Sequence, residues 1–324
     1  MKRIKFTDIE GLKVGHEQNF EAATGCTVVI CEEGAVAGVD VRGGAPGTRE
    51  TDLLDPVNLV EKINAVVLAG GSAFGLDASS GVMEFLEERN IGFDVSVTKV
   101  PIVCSAVLFD LVIGSSKIRP DKQMGYSACI NAYNEQEQMQ GNIGAGTGAT
   151  VGKILGPEFS MKGGLGTYAV QIGRLKVGAI VAVNCLGDVI DPCSEKIIAG
   201  ALNKEKNGFV NTESIMMDQY QMKSNLFSGN TTIGVVATNA VLTKAQAKKI
   251  SSMAHNGYAR TMRPAHSMFD GDTIFTLGTG KTDADVNVIG MLAANVMEKA
   301  ILNAVKSAES CHGYISYSDI ISNH

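Results

Sequence analysis

A chain of 324 residues, 45% hydrophobic and 19% charged, can bury one large core or two modest ones and has the composition of an ordinary globular protein. Its 28 basic and 34 acidic residues give a net charge of -6, and no run of Lys or Arg is long enough to track a phosphate backbone, which excludes nucleic acid as an expected partner. The seven cysteines (Cys26, Cys31, Cys104, Cys129, Cys185, Cys193 and Cys311) are odd in number and form no Cys-x-x-Cys pair, so they read as reduced core residues rather than disulfides or zinc ligands.

Residues 1–10 carry an early basic group but meet acidic residues before any apolar run forms, and no later window reads as a membrane span. A soluble cytoplasmic protein with no membrane partner is expected. In chain order, 26–31 and 35–41 read as strands, 52–63 as a helix, 65–69 as a strand and 77–89 as a helix. The apolar runs 168–172 and 177–186, joined across Gly173-Arg174-Leu175-Lys176, predict an antiparallel hairpin. A helical pattern over 194–206 leads into 203–230, a stretch dominated by Lys, Glu, Asn, Gln, Ser and Met with no sustained period, which reads as a loop and is the one candidate boundary. Strands over 231–238 and 273–277 and helices over 244–260 and 285–308 complete the chain. In the last helix Val286, Ile289, Ala293, Val296, Ala300 and Val305 return to one face. Hairpins mixed with long helices imply layered α and β elements in a single domain over 1–324.

Chemistry concentrates where the polar stretch ends. At Gly229-Asn230-Thr231-Thr232-Ile233 the composition turns β-branched at once. A hydroxyl residue after Gly-Asn can attack the preceding carbonyl by an N-to-O acyl shift, and hydrolysis of the ester leaves Thr231 with a free α-amine able to act as base for its own hydroxyl. Taken alone, the window reads first as a Thr-rich edge strand after a surface turn. Asp270 and Asp272 stand two apart before an apolar strand; if strand geometry extends back to them, both face one way and can hold an ammonium or orient a hydroxyl. The bland alternative is an Asp-Gly-Asp turn facing water. Asn184 interrupts the apolar run 179–186, where an amide needs partners or a purpose, and its NH2 would make an oxyanion donor. Lys162, before flexible glycines, and Tyr126, a phenolic donor, read singly as a surface lysine and a half-buried tyrosine.

The glycine cluster 141–154 fails as a P-loop, which needs Gly and Ser or Thr where Thr147 and Ile154 stand. Gly144, Gly146 and Ala149 satisfy the loose dinucleotide pattern, but the preceding residues 135–140 are not a buried strand. The five histidines show no metal-ligand spacing and there is no Gly-x-Ser-x-Gly elbow.

Val41-Arg42-Gly43-Gly44-Ala45-Pro46-Gly47-Thr48-Arg49-Glu50-Thr51-Asp52 and Leu68-Ala69-Gly70-Gly71-Ser72-Ala73-Phe74-Gly75-Leu76-Asp77 strongly resemble the DmpA-type peptidases, the S58 family of self-processing aminopeptidases. The resemblance continues through Gly144-Ala145-Gly146-Thr147-Gly148-Ala149, Lys162-Gly163-Gly164-Leu165-Gly166, Val183-Asn184, Asn230-Thr231-Thr232 and Asp270-Gly271-Asp272, and covers about the whole chain. It implies an αββα four-layer sandwich, shared with ornithine acetyltransferases, and self-cleavage between Asn230 and Thr231 into chains 1–230 and 231–324. It implies Thr231 as nucleophile, with the acidic pair Asp270 and Asp272 as in the nylon-oligomer branch, and Asn184, Lys162 and Tyr126 where the family places oxyanion and positioning groups. No carboxylate stands immediately beside Tyr126 in the sequence. The family needs no metal or organic cofactor, acts on small peptides or amides, and forms homo-oligomers, a tetramer by resemblance. Two rival readings are an acyltransferase of the ornithine acetyltransferase type, separable by acyl transfer to an amine, and a non-catalytic relative binding a metabolite through residues 141–152, separable by a chain that never splits.

Overall fold

Successive residues of a strand point to opposite faces, and in this chain that alternation sorts the apolar side chains into three stacked cores. A computed structural model describes residues 1–134, 139–222 and 229–322. Parts of the polar runs 135–140 and 203–230 therefore lie outside the described residues. Ten strands form one hydrogen-bonded network: β1 (Lys2–Ile4), β2 (Lys13–Asn19), β3 (Thr24–Val41), β4 (Thr48–Arg49), β5 (Lys62–Ala69), β6 (Val103–Val107), β7 (Gly164–Ile172), β8 (Leu175–Val183), β9 (Ile233–Ala240) and β10 (Thr273–Thr282). Their order is β1-β7-β8-β9-β10-β3-β5-β6-β4, with β2 also paired to β3. The expected hairpin is present, with Ile172 opposite Leu175 in an antiparallel β7–β8 pair. β9 and β10 run parallel.

The 18-residue β3 belongs to both halves of the sandwich. Its first half pairs with β2 and its last residues with β10, and its register with β5 shifts between Ile30 and Ala35. Helices α1 (Ala78–Glu87) and α2 (Lys122–Ala132) cover one outer face, where Cys26, Val28, Ile30, Ala65 and Val67 meet Val82, Phe85 and Leu86. The intervening residues Val29, Cys31, Val66 and Leu68 turn inward against Ile180, Ala182, Val235, Phe275 and Leu277, forming the sheet-on-sheet core. On the far side Val177, Ala179, Val181 and Val236 pack against Ile250, Tyr258, Val296, Met297 and Ile301 of α4 (Lys244–Thr261) and α5 (Val286–Lys306). The layers are α, β, β, α, the expected sandwich. Each buried Val, Leu, Ile or Phe contributes roughly 1.5–3 kcal/mol.

Local sequence explains where the helices start. Thr243 caps α4 in a capping box with Gln246, and the Asp285 carboxylate accepts from Asn287 N and Val288 N at the start of α5. At 21 residues α5 is long and apolar enough to cross a membrane, which corrects the reading that no window qualifies; it is instead a buried core helix. The expected helix over 52–63 is a single 3-10 turn at Asp52–Leu54 followed by β5, because Pro56 lacks the N–H that would continue it. The expected helix over 194–206 gives a strand at Lys196–Ala199, paired with Asp188–Asp191, where the β-branched Ile197 and Ile198 favour extension. Within 203–230, α3 (Thr212–Met222) replaces part of the expected loop.

Candidate active site

β8 runs antiparallel to β9, so its end lies beside the start of β9; β10, parallel to β9, starts there too. Three strand ends thus deliver Asn184, the segment Asn230-Thr231-Thr232 and the segment Asp270-Gly271-Asp272 to one place. The parallel register continues back from Ile233 opposite Thr273 to a bridge between Asn230 and Asp270. Thr231 N–H donates to Asn184 O at 3.0 Å, Gly271 N–H to Asn230 O at 3.0 Å, and Thr273 N–H to Thr232 O at 3.1 Å.

Thr231 is 5% exposed, and its hydroxyl lies against the carbonyl oxygen of Asn230, the carbonyl of the peptide bond that an acyl shift would open. Gly271 has no room for a side chain here: a Cβ would stand 2.6 Å from Thr231 Oγ1 and 2.9 Å from Ala45 O. Asp272 is buried, with Oδ1 accepting Thr232 N–H at 2.9 Å and Oδ2 accepting from His266 N at 3.0 Å and Nδ1 at 2.9 Å. Asp270 Oδ2 accepts from Ser267 N at 2.8 Å and from the Ser267 hydroxyl. Burial, and then the neighbouring Asp272 charge, raise the Asp270 carboxyl above the usual carboxylate range, while Ser267 and Lys153 pull it back.

Asn184 is fully buried beside Thr231, and its side-chain amide is bonded on both ends. Nδ2 donates to Phe109 O at 3.1 Å, and Oδ1 accepts from Thr150 N at 3.0 Å and Lys153 Nζ at 2.7 Å. The side chain orders Phe109 and Lys153 and its backbone carbonyl receives Thr231 N–H, while only one of the two Nδ2 hydrogens is engaged in these bonds. Lys162 is 0% exposed, not a surface lysine, and donates to the carbonyls of Gly146, Ala149 and Gly163 at 2.9, 2.9 and 3.0 Å. Those bonds tie down the glycine-rich turn and leave none for Thr231, so Lys162 shapes the loop beside the site. Tyr126 is not brought into the group. It sits in the outer helical layer, edge-on to Phe85 and donating to Glu88 Oε2 at 2.8 Å, a carboxylate supplied by the C-cap of α1 rather than by the adjacent sequence.

The lysine that does reach Thr231's surroundings is Lys153. Gly152 N–H donates to Gly187 O at 3.1 Å and Lys153 N–H to Leu186 O at 3.0 Å, which carries the side chain to the end of β8. Its Nζ donates to Asn184 Oδ1, to Asn184 O at 3.0 Å and to Gly229 O at 3.3 Å. Burial pushes this amine down to about 7, against the pull of Cys185, Asp270 and Asp110. Asp110 is a second group the sequence did not announce. Its buried carboxylate accepts from Gly71 N at 2.6 Å and Thr24 Oγ1 at 2.7 Å, and burial raises it to about 6. Lys153 follows Gly152 in an otherwise apolar run, and that isolated cation was the available signal.

The profile of peptidase family S58 matches residues 5–317. The chain belongs to peptidase family S58. It is 41% identical to an uncharacterized aminopeptidase of Mycobacterium leprae over 96% of this chain and 92% of that protein. It is 29% identical to a 6-aminohexanoate-oligomer endohydrolase of Kocuria sp. over 92% of this chain and 85% of that protein. Among solved structures, the L-aminopeptidase D-Ala-esterase/amidase of Ochrobactrum anthropi, described as a variant of the Ntn hydrolase fold, superposes with a TM-score of 0.72 at 18% identity, covering 98% of this chain and 93% of that one. Fold and family agree: this S58 peptidase is a hydrolase of amide bonds.

Proposed function

We propose that this S58 peptidase is a self-processing amide hydrolase with Thr231 as nucleophile. The observation that carries the reading is the Thr231 hydroxyl lying against the Asn230 carbonyl while Gly271 N–H donates to that carbonyl's oxygen. When Oγ1 attacks the Asn230 carbonyl carbon, negative charge grows on the oxygen that Gly271 N–H faces. Collapse breaks the Asn230–Thr231 C–N bond, the nitrogen takes the hydroxyl proton, and water hydrolyses the ester to an Asn230 carboxylate. Thr231 then heads the chain 231–324, its α-amine near Asn184 O and Lys153.

In turnover the free amine accepts the hydroxyl proton as Oγ1 attacks a substrate carbonyl, and passes it to the departing amine; water then releases the acyl group. Departure of Asn230 frees Gly271 N–H for the substrate's carbonyl oxygen. The substrate class that fits is a small peptide or a linear oligomer of amino acids, as the names of the relatives also suggest. Steady-state hydrolysis of aminoacyl p-nitroanilides and of 6-aminohexanoate oligomers tests this. Thr231→Ala is expected to lose activity by at least about a thousandfold, with free acid as the wild-type product. Undiminished hydrolysis by Thr231→Ala would remove the nucleophile, and an acylated amine as the main product would make the protein an acyltransferase.

A further inference from the structure

His266 occupies the turn that precedes Asp270, and two of its groups converge on one oxygen. Its backbone N–H and its ring Nδ1 lie 3.0 and 2.9 Å from Asp272 Oδ2, while the other oxygen of that carboxylate receives Thr232 N–H at 2.9 Å. A carboxylate oxygen accepts, so Nδ1 carries a proton and donates it to Asp272. Nε2 is buried with no hydrogen-bond partner among the described residues. The ring is held edge-on to His255, centroids 4.8 Å apart, and stacked on Tyr258 at 6.0 Å, both from α4. His255 is itself anchored, with Nε2 2.9 Å from Asp40 O.

The backbone at His266 has φ 62°, a left-handed conformation that glycine or asparagine adopts with less strain. A histidine at this position thus carries backbone strain and an unpaired buried ring nitrogen. The visible return for both is the Nδ1 bond to Asp272.

We propose that His266 is a positioning residue of the hydrolytic site. It holds the Asp272 carboxylate in the orientation in which Oδ1 faces Thr232 N–H, and this fixes the peptide plane between Thr231 and Thr232. That plane sets the torsion about the Thr231 Cα–C bond. Once the Asn230–Thr231 bond is cut, the nucleophile has lost its covalent hold on the other side, and its amine and hydroxyl keep their aim only if this plane stays fixed. The inference rests on the reading of Thr231 as nucleophile.

The test compares His266→Gly with His266→Asn, since both residues accept the left-handed backbone but only Asn restores a side-chain donor. Thermal melts establish folding, and each variant is assayed on aminoacyl p-nitroanilides for kcat and KM and on denaturing gels for the rate of chain cleavage. His266→Gly is expected to lower kcat by roughly 10- to 100-fold with KM changed less than about threefold, because misaim costs turnover rather than binding. Chain cleavage should slow in parallel, and His266→Asn should recover kcat to within about fivefold of wild type. Should the Gly variant not fold, His266→Ala takes its place in the same comparison. A folded variant lacking the donor with wild-type kcat, or an Asn variant no better than it, overturns the proposal. Thr231→Ala is run alongside: if it keeps full activity, the nucleophile reading fails; if it is inactive while the donor-less variant is fully active, the role of His266 alone fails.

Discussion

Lys153 links the groups around Thr231, because its Nζ reaches both oxygens of Asn184, and the Asn184 backbone oxygen also receives Thr231 N–H. Burial pushes the Lys153 amine down to about 7, so it is charged only on the acid side of that; there it and the α-amine that cleavage would release cannot both keep their protons, and they titrate as a pair whose first proton leaves below the range of a free N-terminal amine. An unperturbed N-terminal amine titrates near ~8. Lys153→Met is therefore expected to reduce kcat by roughly 100-fold and to replace the acid limb of the pair, which begins near 7, by that of the α-amine alone, near ~8. An unchanged limb in a folded, processed variant would show that Lys153 does not act on the amine. Thr231, Asn184, Asp270 and Asp272 were legible in the sequence because each breaks a local pattern: a hydroxyl at a composition switch, an amide in an apolar strand, an acidic pair before one. Lys153 and Lys162 were not distinguishable, since both follow or precede glycines, and only the folded backbone decides that one meets three loop carbonyls and the other the end of β8. His266 carried no motif at all.

Among the elements, β3, β5, β7 to β10 and the helices α1, α4 and α5 were readable from apolar period and caps, while the short β1 and β4 were not. The β2 and β6 strands and α2 were not, because their apolar positions are too few or too interrupted; Gly125 in α2, for example, lies so close to α1 that a Cβ would come 1.9 Å from Ala78 O. The turn held by Lys162 gives a measurable consequence. Burial pushes the Lys162 amine from 10.5 down to about 8, so below about 8 folded and unfolded chains both carry its proton, and between there and 10.5 only the unfolded chain does. Stability from this group therefore rises with pH across that window, by roughly 3 kcal/mol in all. Urea unfolding at several pH values, in the Thr231→Ala background to keep one chain, should show the gap between Lys162 and Lys162→Met widening in favour of the lysine from pH ~8 to ~10. A gap that does not change with pH would mean that Lys162 is hydrated in solution.

For the whole molecule, the proposed cut at the start of β9 leaves the sandwich intact. β9 stays paired antiparallel to β8 along Val177–Ala182, β10 stays paired with β3, and α5 keeps its face on the sheet through Val296, Met297 and Ile301. Chains 1–230 and 231–324 should elute as one species in native size-exclusion chromatography and separate only in denaturant; separation without denaturant would contradict the layered core as the source of cohesion. The four layers themselves could be argued from mixed hairpins and helices, but the bend of β3 through both halves could not, because 26–31 and 35–41 read as two strands when the chain runs through as one. The most direct test of the account is N-terminal sequencing with intact-mass analysis of purified wild type beside Thr231→Ala. The account predicts two wild-type chains, the shorter beginning Thr-Thr-Ile-Gly at Thr231, and one 34.1 kDa chain for the variant. A wild type that hydrolyses amides as a single uncut chain, or that is cut elsewhere, would contradict it.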